Sequence, residues 1–391
     1  MSKKILVLGA GIMQIPIIKK IRAMGYIPVV VDYAQDAPGF KYSSNNHVVS
    51  TMDYEGVLGV AKREKVNGVL TTSDAPVRVV SKVAKVLGLD AMSEGTADIC
   101  TNKLKQRLLF KENSIGCPVF DVVDSEFRGS CFLSFPCIVK PVDSSASRGV
   151  TIARNPDELR KSIHYAFEYS RSDKVLVEQF VEGREFSVET FSQDNKTTVI
   201  AITEKHLLDN GYFVENTHIE PADLTKQEVE LISKEVKKAI SAVGLDNSPS
   251  HTEVKLCGGK VYIIEMACRL GGDYITSDLV PLSTGVDMLE NLIKVSIGEK
   301  IDVIQKKHRY AAVQFINNYN YEICKRYIEE NKAGNIVRYE IKPFVDKPIK
   351  NSLDRLGYII IEGESRERIN IELSKMNGYG QPYISSCRNV C

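Results

Sequence analysis

Residues 1–100 alternate between short β-branched runs and helix-like stretches, and no other feature constrains the fold as strongly. Residues 5–8 (ILVL) read as a strand, and 13–24 suit a helix that Gly25 stops. A second strand over 26–31 leads into a loop holding Asp32, Pro38 and Gly39. A third strand over 47–49, a helix over 54–65, a fourth strand over 68–72 and a helix over 76–87 ending at Gly88 continue the pattern. Strand and helix in regular alternation mean a parallel sheet with helices on both faces. The opening Gly9-x-Gly11, with Asp32 after the second strand, invites comparison with a dinucleotide site. Gln14, however, fills the place where a third small residue packs helix on strand, so a tight strand-to-helix turn is the better reading. Such a turn can still line a ligand cleft at the carboxyl ends of the strands.

From residue 101 the organisation changes. A helix rich in Lys and Arg is expected from NKLKQRLLFKENS, with Leu104, Leu108 and Leu109 on its apolar side and Gly116 and Pro118 as the stop. Lys103, near its start, either reaches a phosphate or stays solvated. In FPCIVKPVDSSASRGV, Lys140 ends a buried strand, Pro141 breaks the ladder, and the loop over 143–149 is built of small hydroxyl residues, Arg148 and Gly149 before a strand over 150–153. A strand lysine beside such a loop suits an anion clamp, because serine hydroxyls and backbone N–H groups wrap phosphates without steric bulk. The Gly-Lys-Ser/Thr sequence of a Walker loop is absent. In VLVEQFVEGREFSVETF, a strand over 175–177 meets Glu178-Gln179-Phe180-Val181, a turn at Gly183, and a strand alternating Phe186, Val188 and Thr190. Main-chain groups of Phe180 and Val181 can pair with a base edge, and Glu185 can accept from ribose hydroxyls; acids on a solvent-facing strand are the plainer alternative.

The run VYIIEMACRLGGD, residues 261–273, places Glu265 in an apolar strand with Arg269, Gly271 and Gly272 just beyond, while Glu253 lies upstream across the turn-like CGGK at 257–260. Magnesium takes one or two protein carboxylates plus phosphate oxygens and water, and this hairpin supplies such a pair. Arg269 can neutralise a transferring phosphoryl group or hold a carboxylate bidentately. A hairpin whose acids face solvent is the alternative.

In chain order, Lys103, Lys140 with its Ser/Gly loop, Glu178-Gln179-Phe180-Val181 with Glu185, then Glu253, Glu265 and Arg269 resemble the ATP-grasp superfamily over residues 101–300. The fold class that follows is α/β and α+β: an N-terminal parallel α/β domain over 1–100, a two-lobed ATP-grasp core over 101–304 with a lid lobe over 117–183, and a small C-terminal α+β subdomain over 305–391 that completes the core. The resemblance implies that Lys103 and Lys140 contact phosphates and that Ser144, Ser145, Ser147, Arg148 and Gly149 fold over them. It further implies that Glu178, Gln179, Phe180 and Val181 bind adenine, that Glu185 binds ribose, and that Glu253 and Glu265 hold Mg2+, with Mn2+ as an alternative ion. The family usually has an asparagine two residues after the second carboxylate; here Ala267 stands there, which leaves one or two metals open. Members resembling biotin carboxylase, carbamoyl-phosphate synthase and the L-amino-acid ligases tolerate a small residue at that place, so Ala267 reads as a subgroup mark.

Residues 202–224 look like the loop that lies beside the reacting carboxyl in ligases of the amino-acid type. There Glu215 and His218 face the substrate, Pro221 shapes the exit and His218 orients an amine or takes its proton. Lys205 is either another phosphate contact or a plain strand-end lysine. Strands over 310–316 and 358–361 and a helix over 365–376 make the C-terminal unit, and QKKHR at 305–309 reads as a solvated linker. The chemistry implied is a carboxylate–amine ligase working through an acyl phosphate. Arg269 and His218 act at the reaction centre, Arg269 with Gly271 and Gly272 holds the acyl phosphate or the substrate carboxylate, and Asp273 attracts a substrate amino group. A bicarbonate- or formate-activating enzyme and a non-catalytic nucleotide-binding protein are the alternatives.

Composition agrees with small-molecule partners. A formal net charge of +1 with no long block of like charge disfavours nucleic acid and anionic membranes. The apolar start ILVLGAG is too short and glycine-broken for a span or signal peptide. Nine cysteines without a Cys-x-x-Cys pair point to a reducing, cytoplasmic setting rather than a disulfide framework or structural zinc. Cys387 and Cys391 are expected in a disordered end, and a homodimer is admitted by the family resemblance.

Overall fold

A computed structural model describes residues 2–127, 132–145, 147–208, 212–331 and 334–377, so Cys387 and Cys391 lie outside the described residues. The first sheet contains β1 (Lys4–Leu8), β2 (Ile27–Asp32), β3 (Asn45–Val48) and β4 (Gly68–Leu70) in the order β3-β2-β1-β4, all parallel. Ile5, Leu6, Val7 and Leu8 are fully buried, as a strand covered by helices on both faces requires. The expected strand-to-helix turn is present. Asp32 accepts from the Ala10 N–H at 2.7 Å, and the buried Gln14 folds over Gly9 and Gly11 to donate to Thr72 and Ser73. The turn is thus filled by its own glutamine.

A helix absent from the sequence reading, Glu94–Cys100, leads to the helix Lys103–Glu112, capped by the Asn102 side chain. Its orientation corrects the expectation. Lys103, Gln106, Arg107 and Phe110 face inward, while Leu108 is 47% exposed. Polar groups inside compensate: Gln106 bonds both the N–H and the C=O of Met266, and Arg107 donates to the Ile264 carbonyl at 2.5 Å. These three bonds outweigh the apolar gain from burying Leu108, because each buried donor left unpaired costs about 1–3 kcal/mol.

The second sheet is small and antiparallel, with β5 (Phe120–Asp124), β6 (Cys137–Pro141), β7 (Thr151–Ala153) and β8 (Lys174–Gln179) ordered β5-β8-β6-β7 and backed by the helix Pro156–Tyr169. The third sheet has eight antiparallel strands: β9 (Arg184–Gln193), β10 (Lys196–Leu207), β11 (Glu215–Glu220), β12 (Ser248–Cys257), β13 (Lys260–Ala267), β14 (Tyr310–Ile316), β15 (Ile336–Ile341) and β16 (Gly357–Gly363). Their order is β13-β12-β9-β10-β11-β14-β16-β15. Strands from the C-terminal segment therefore extend the core sheet itself through β11 and β14. The linker at 305–309 is anchored, with Lys306, Lys307 and Arg309 N–H groups bonded to Thr284 and Ser283 carbonyls. Along β9 and β12 the side chains alternate. Phe186, Val188 and Val254 pack against Ile232, Val236, Ala239 and Ile240 of the helix Lys226–Val243, which leaves Glu185, Ser187, Glu253 and Lys255 on the opposite face. Among the described residues no helix is long and apolar enough to cross a membrane.

Candidate active site

The polar face of the large sheet is the floor of the site. The β12–β13 hairpin pairs Glu253 directly with Glu265, so two carboxylates stand side by side where like charges repel. Lysines relieve the repulsion from either side. Lys205 lies 2.8 Å from Glu253 and 3.0 Å from Glu185, and Lys103 lies 2.7 Å from Glu265 while donating to the Ser144 carbonyl at 2.6 Å. Burial opposes the charge on both Lys205 and Glu253, yet their mutual attraction outweighs it, raising the lysine and holding the carboxyl well below its ordinary range. Among the described residues no group of three or more His, Cys, Asp or Glu side chains gathers as a metal site. Two adjacent hard oxygen donors, currently neutralised by amines, nonetheless fit an ion whose remaining ligands are phosphate oxygens and water.

The small sheet forms the roof. Lys140 and Arg107 both grip Glu178, each at 2.7 Å, and all three are buried. Desolvation pushes Lys140 down, whereas the two cations hold Glu178 down against its own burial. Glu178 and Gln179 are strand residues, and Phe180 with Val181 forms the link to β9. Lys255 ties that link to the floor, donating to the Val181 carbonyl at 3.0 Å with its amine over the Phe180 ring. Ser144, Ser145, Ser147 and Arg148 line the same cleft, and Gly149 sits behind it at φ +76, where a Cβ would come within 2.7 Å of Pro141. The cleft encloses about 890 Å³ of space, part of it open to solvent, within the range of small-molecule pockets.

The remaining residues lie past the carboxylate pair. Arg269 is bidentate to Asp74, at 2.7 and 3.0 Å, which joins the first domain to the end of β13. Its third bond is to the Leu270 carbonyl, so among the described residues two of its five N–H groups have no partner. Gly271 passes so close to Glu189 and His251 that a Cβ would lie 2.7 Å from each. His251 bonds the buried Glu189 at 2.5 Å and is raised to about 9, the carboxylate outweighing desolvation. Gly272 has open space at its Cα. A bulge after His206 sets Leu207 opposite Glu215 and Lys205 opposite His218, and for that reason these two residues, three apart in sequence, face the same side. His218 is buried, lowered by desolvation, and sits 3.9 Å from Asp273.

The structure thus gathers fourteen of the anticipated residues around one cleft and its floor, and sets Arg269, Gly271, Gly272, Asp273 and His218 in a neighbouring cluster. Arg107, Gln106, Glu189, His251 and Arg355 were not anticipated. Arg107 shares a helical stripe with Lys103 that the leucines masked, and His251 and Glu189 follow the strand alternation of Glu253 and Glu185. Arg355, in a loop before β16, carries no local signal.

Comparison with known proteins gives one family and several whole-chain relatives. Residues 133–278 match the ATP-grasp domain family. The chain is similar to the formate-dependent phosphoribosylglycinamide formyltransferase of Sulfurisphaera tokodaii, at 24% identity over 94% of each chain. Its fold is that of the L-amino acid ligase from Bacillus licheniformis, with TM-score 0.81, 22% identity and coverage of 96% and 97%. It is also that of N5-carboxyaminoimidazole synthetase from Staphylococcus aureus complexed with ADP, with TM-score 0.78, 13% identity and coverage of 97% and 98%.

Proposed function

We propose that this chain, which carries an ATP-grasp domain, is an ATP-dependent carboxylate–amine ligase that joins an amino acid to a second amine through an acyl phosphate. The observation that carries the reading is the in-register pair Glu253 and Glu265, each held by a lysine, in a cleft walled by Lys140 and the serine loop, with Arg269 four residues past Glu265. A magnesium ion held by Glu253 and Glu265, or manganese in its place, supplies neutralising charge for phosphate oxygens when bound. Lys103, Lys140 and the serine hydroxyls hold the triphosphate, Phe180 and Val181 take the adenine edge, and Glu185 takes the ribose. A substrate carboxylate oxygen forms a bond to the γ-phosphorus, and the bond to ADP breaks with its electron pair leaving on ADP. The amine nitrogen then bonds the acyl carbon, phosphate departs with the C–O pair, and the amine gives up a proton. His218 suits that proton: burial favours the neutral ring, and among the described residues its Nδ1 has no hydrogen-bond partner. Arg269 directs its two remaining N–H groups to the acyl phosphate.

The formate-dependent relatives raise a second reading, activation of formate for transfer to a phosphorylated sugar amine. The carboxyl edge of the first sheet argues against that acceptor. Residues 9–14, 33–39, 49–53 and 71–76 contain no Lys, Arg or His, and they expose Ile12, Met13, Tyr33 and Met52. These segments offer a phosphate dianion no cation of their own, and the one that reaches them, Arg269, is already paired to Asp74, whereas an apolar amine finds contact. The test is ADP and phosphate release with ATP and Mg2+ in the presence of single amino acids, amino-acid pairs, formate or bicarbonate. Release that requires an amino acid is expected; release with formate or bicarbonate alone overturns the ligase reading. Glu265→Gln is expected to cut turnover at least 100-fold, and full turnover in that variant would remove the metal assignment.

A further inference from the structure

Arg355 lies 82 residues beyond Asp273 and 140 beyond Glu215, yet its guanidinium bridges them, at 2.9 Å from Asp273 and 2.5 Å from Glu215. Ser352 bonds both Glu215 and Arg355, and the Phe315 ring lies beneath the guanidinium at 3.7 Å, with His218 edge-on to the same ring. Asp273 and Tyr274 are consecutive non-glycine residues in the left-handed region, at φ +50 and +66. Such backbone persists only where its surroundings over-determine it. Here Arg355 holds Asp273, and Tyr274 stacks on Tyr358 at 4.0 Å under Arg338.

The charges around this clamp do not balance. The guanidinium faces two carboxylates, Glu215 and Asp273, and the further cation Lys205, 3.8 Å from Glu215, is drawn closer to Glu253 and Glu185. His218 adds no charge, since burial favours its neutral form. Among the described residues the buried Nδ1 of His218 has no hydrogen-bond partner. One guanidinium against two carboxylates leaves a local excess of one negative charge, which calls for a monocationic ligand group.

We propose that Arg355 is a positioning residue that fixes Glu215 and Asp273 as the receptor for the ammonium group of the amino acid whose carboxylate is activated. This rests on the ligase reading and extends it: the C-terminal strands contribute to the substrate site, and the activated acid is an amino acid in preference to its uncharged desamino counterpart.

The test measures KM and kcat for ATP, for the best of the twenty amino acids, and for its desamino counterpart (propionate for alanine), in wild type, Arg355→Ala, Arg355→Lys and Asp273→Asn. Arg355→Ala is expected to raise the amino-acid KM at least tenfold, leave the ATP KM within twofold and hardly change the poor use of the desamino acid; Arg355→Lys restores part of the loss. Equal KM values for amino acid and desamino acid in wild type overturn the inference, as does an unchanged amino-acid KM in Arg355→Ala. Should Arg355→Ala fail to fold, Arg355→Lys and Asp273→Asn give the same KM split. If no amino acid supports ADP release, the ligase reading falls by itself, and thermal shift with ATP and each amino acid judges the receptor: a shift that wild type shows and Asp273→Asn loses supports it, and no shift in wild type overturns it.

Discussion

Glu220, at the end of β11, is fully buried and bonded to the Thr203 hydroxyl at 2.9 Å; desolvation, reinforced by Glu189, pushes its carboxyl up to about 8 from 4.5. At pH 7 the folded protein keeps this group protonated, whereas the unfolded chain ionises it. The unfolded state therefore gains relative stability as pH rises above 4.5, and the loss levels off once pH passes the folded value near 8. At pH 7 the interval is about 2.5 units, which makes the cost of retaining the proton roughly 3 kcal/mol. Glu220→Gln keeps an acceptor for Thr203 and has no proton to lose, so it is expected to stabilise the protein by about that amount at pH 7 and by less than about 1 kcal/mol at pH 5. For a chain of this length unfolding as one unit, about 3 kcal/mol corresponds to a Tm gain of about 4 °C. Thermal melts followed by circular dichroism from pH 5 to 8.5 measure it. Curves for wild type and variant that run parallel over that interval would refute the reasoning, because they would mean Glu220 carries no more protons folded than unfolded.

Two further substitutions test the roof and the Gly271 passage. Arg107→Met leaves Glu178 with Lys140 alone in a buried setting, and a loss of about 3–5 kcal/mol is expected in urea unfolding; a loss below about 1 kcal/mol would show that the pair relaxes to solvent. Gly271→Ala places a methyl 2.7 Å from both Glu189 and His251, inside van der Waals contact, so a drop in kcat of at least tenfold with little change in the ATP KM is expected from steady-state kinetics.

What the sequence makes legible follows the range of the forces involved. The parallel sheet is readable because each strand is covered on both faces and leaves a continuous apolar run, as Ile5 to Leu8 do. The two carboxylates are readable because a tight glycine turn at Gly258 and Gly259 fixes their hairpin locally. The helix over 103–112 misleads, since apolar content alone assigns Leu108 to the core, whereas the real inner face is chosen by distant partners at Glu178, Ile264 and Met266. Arg355 is beyond reach for the same reason: its role exists only after β14 and β16 have been added beside β11. Strand β15 and the helix Tyr321–Glu330 escape notice because the residues of β15 are mostly exposed and the helix buries only one side.

The helix Lys103–Glu112 has a mechanical consequence. Through Lys103 and Arg107 it holds the small sheet at Ser144 and Glu178, and through Gln106, Arg107 and Lys103 it holds the large sheet at Met266, Ile264 and Glu265. Ten residues thus act as a dowel driven into two boards. If the small sheet swings away, the dowel must stay in one board and pull free of the other, and the bonds it gives up are buried ones. The resting geometry of the cleft is then set less by the facing surfaces than by which end of this short rod lets go first.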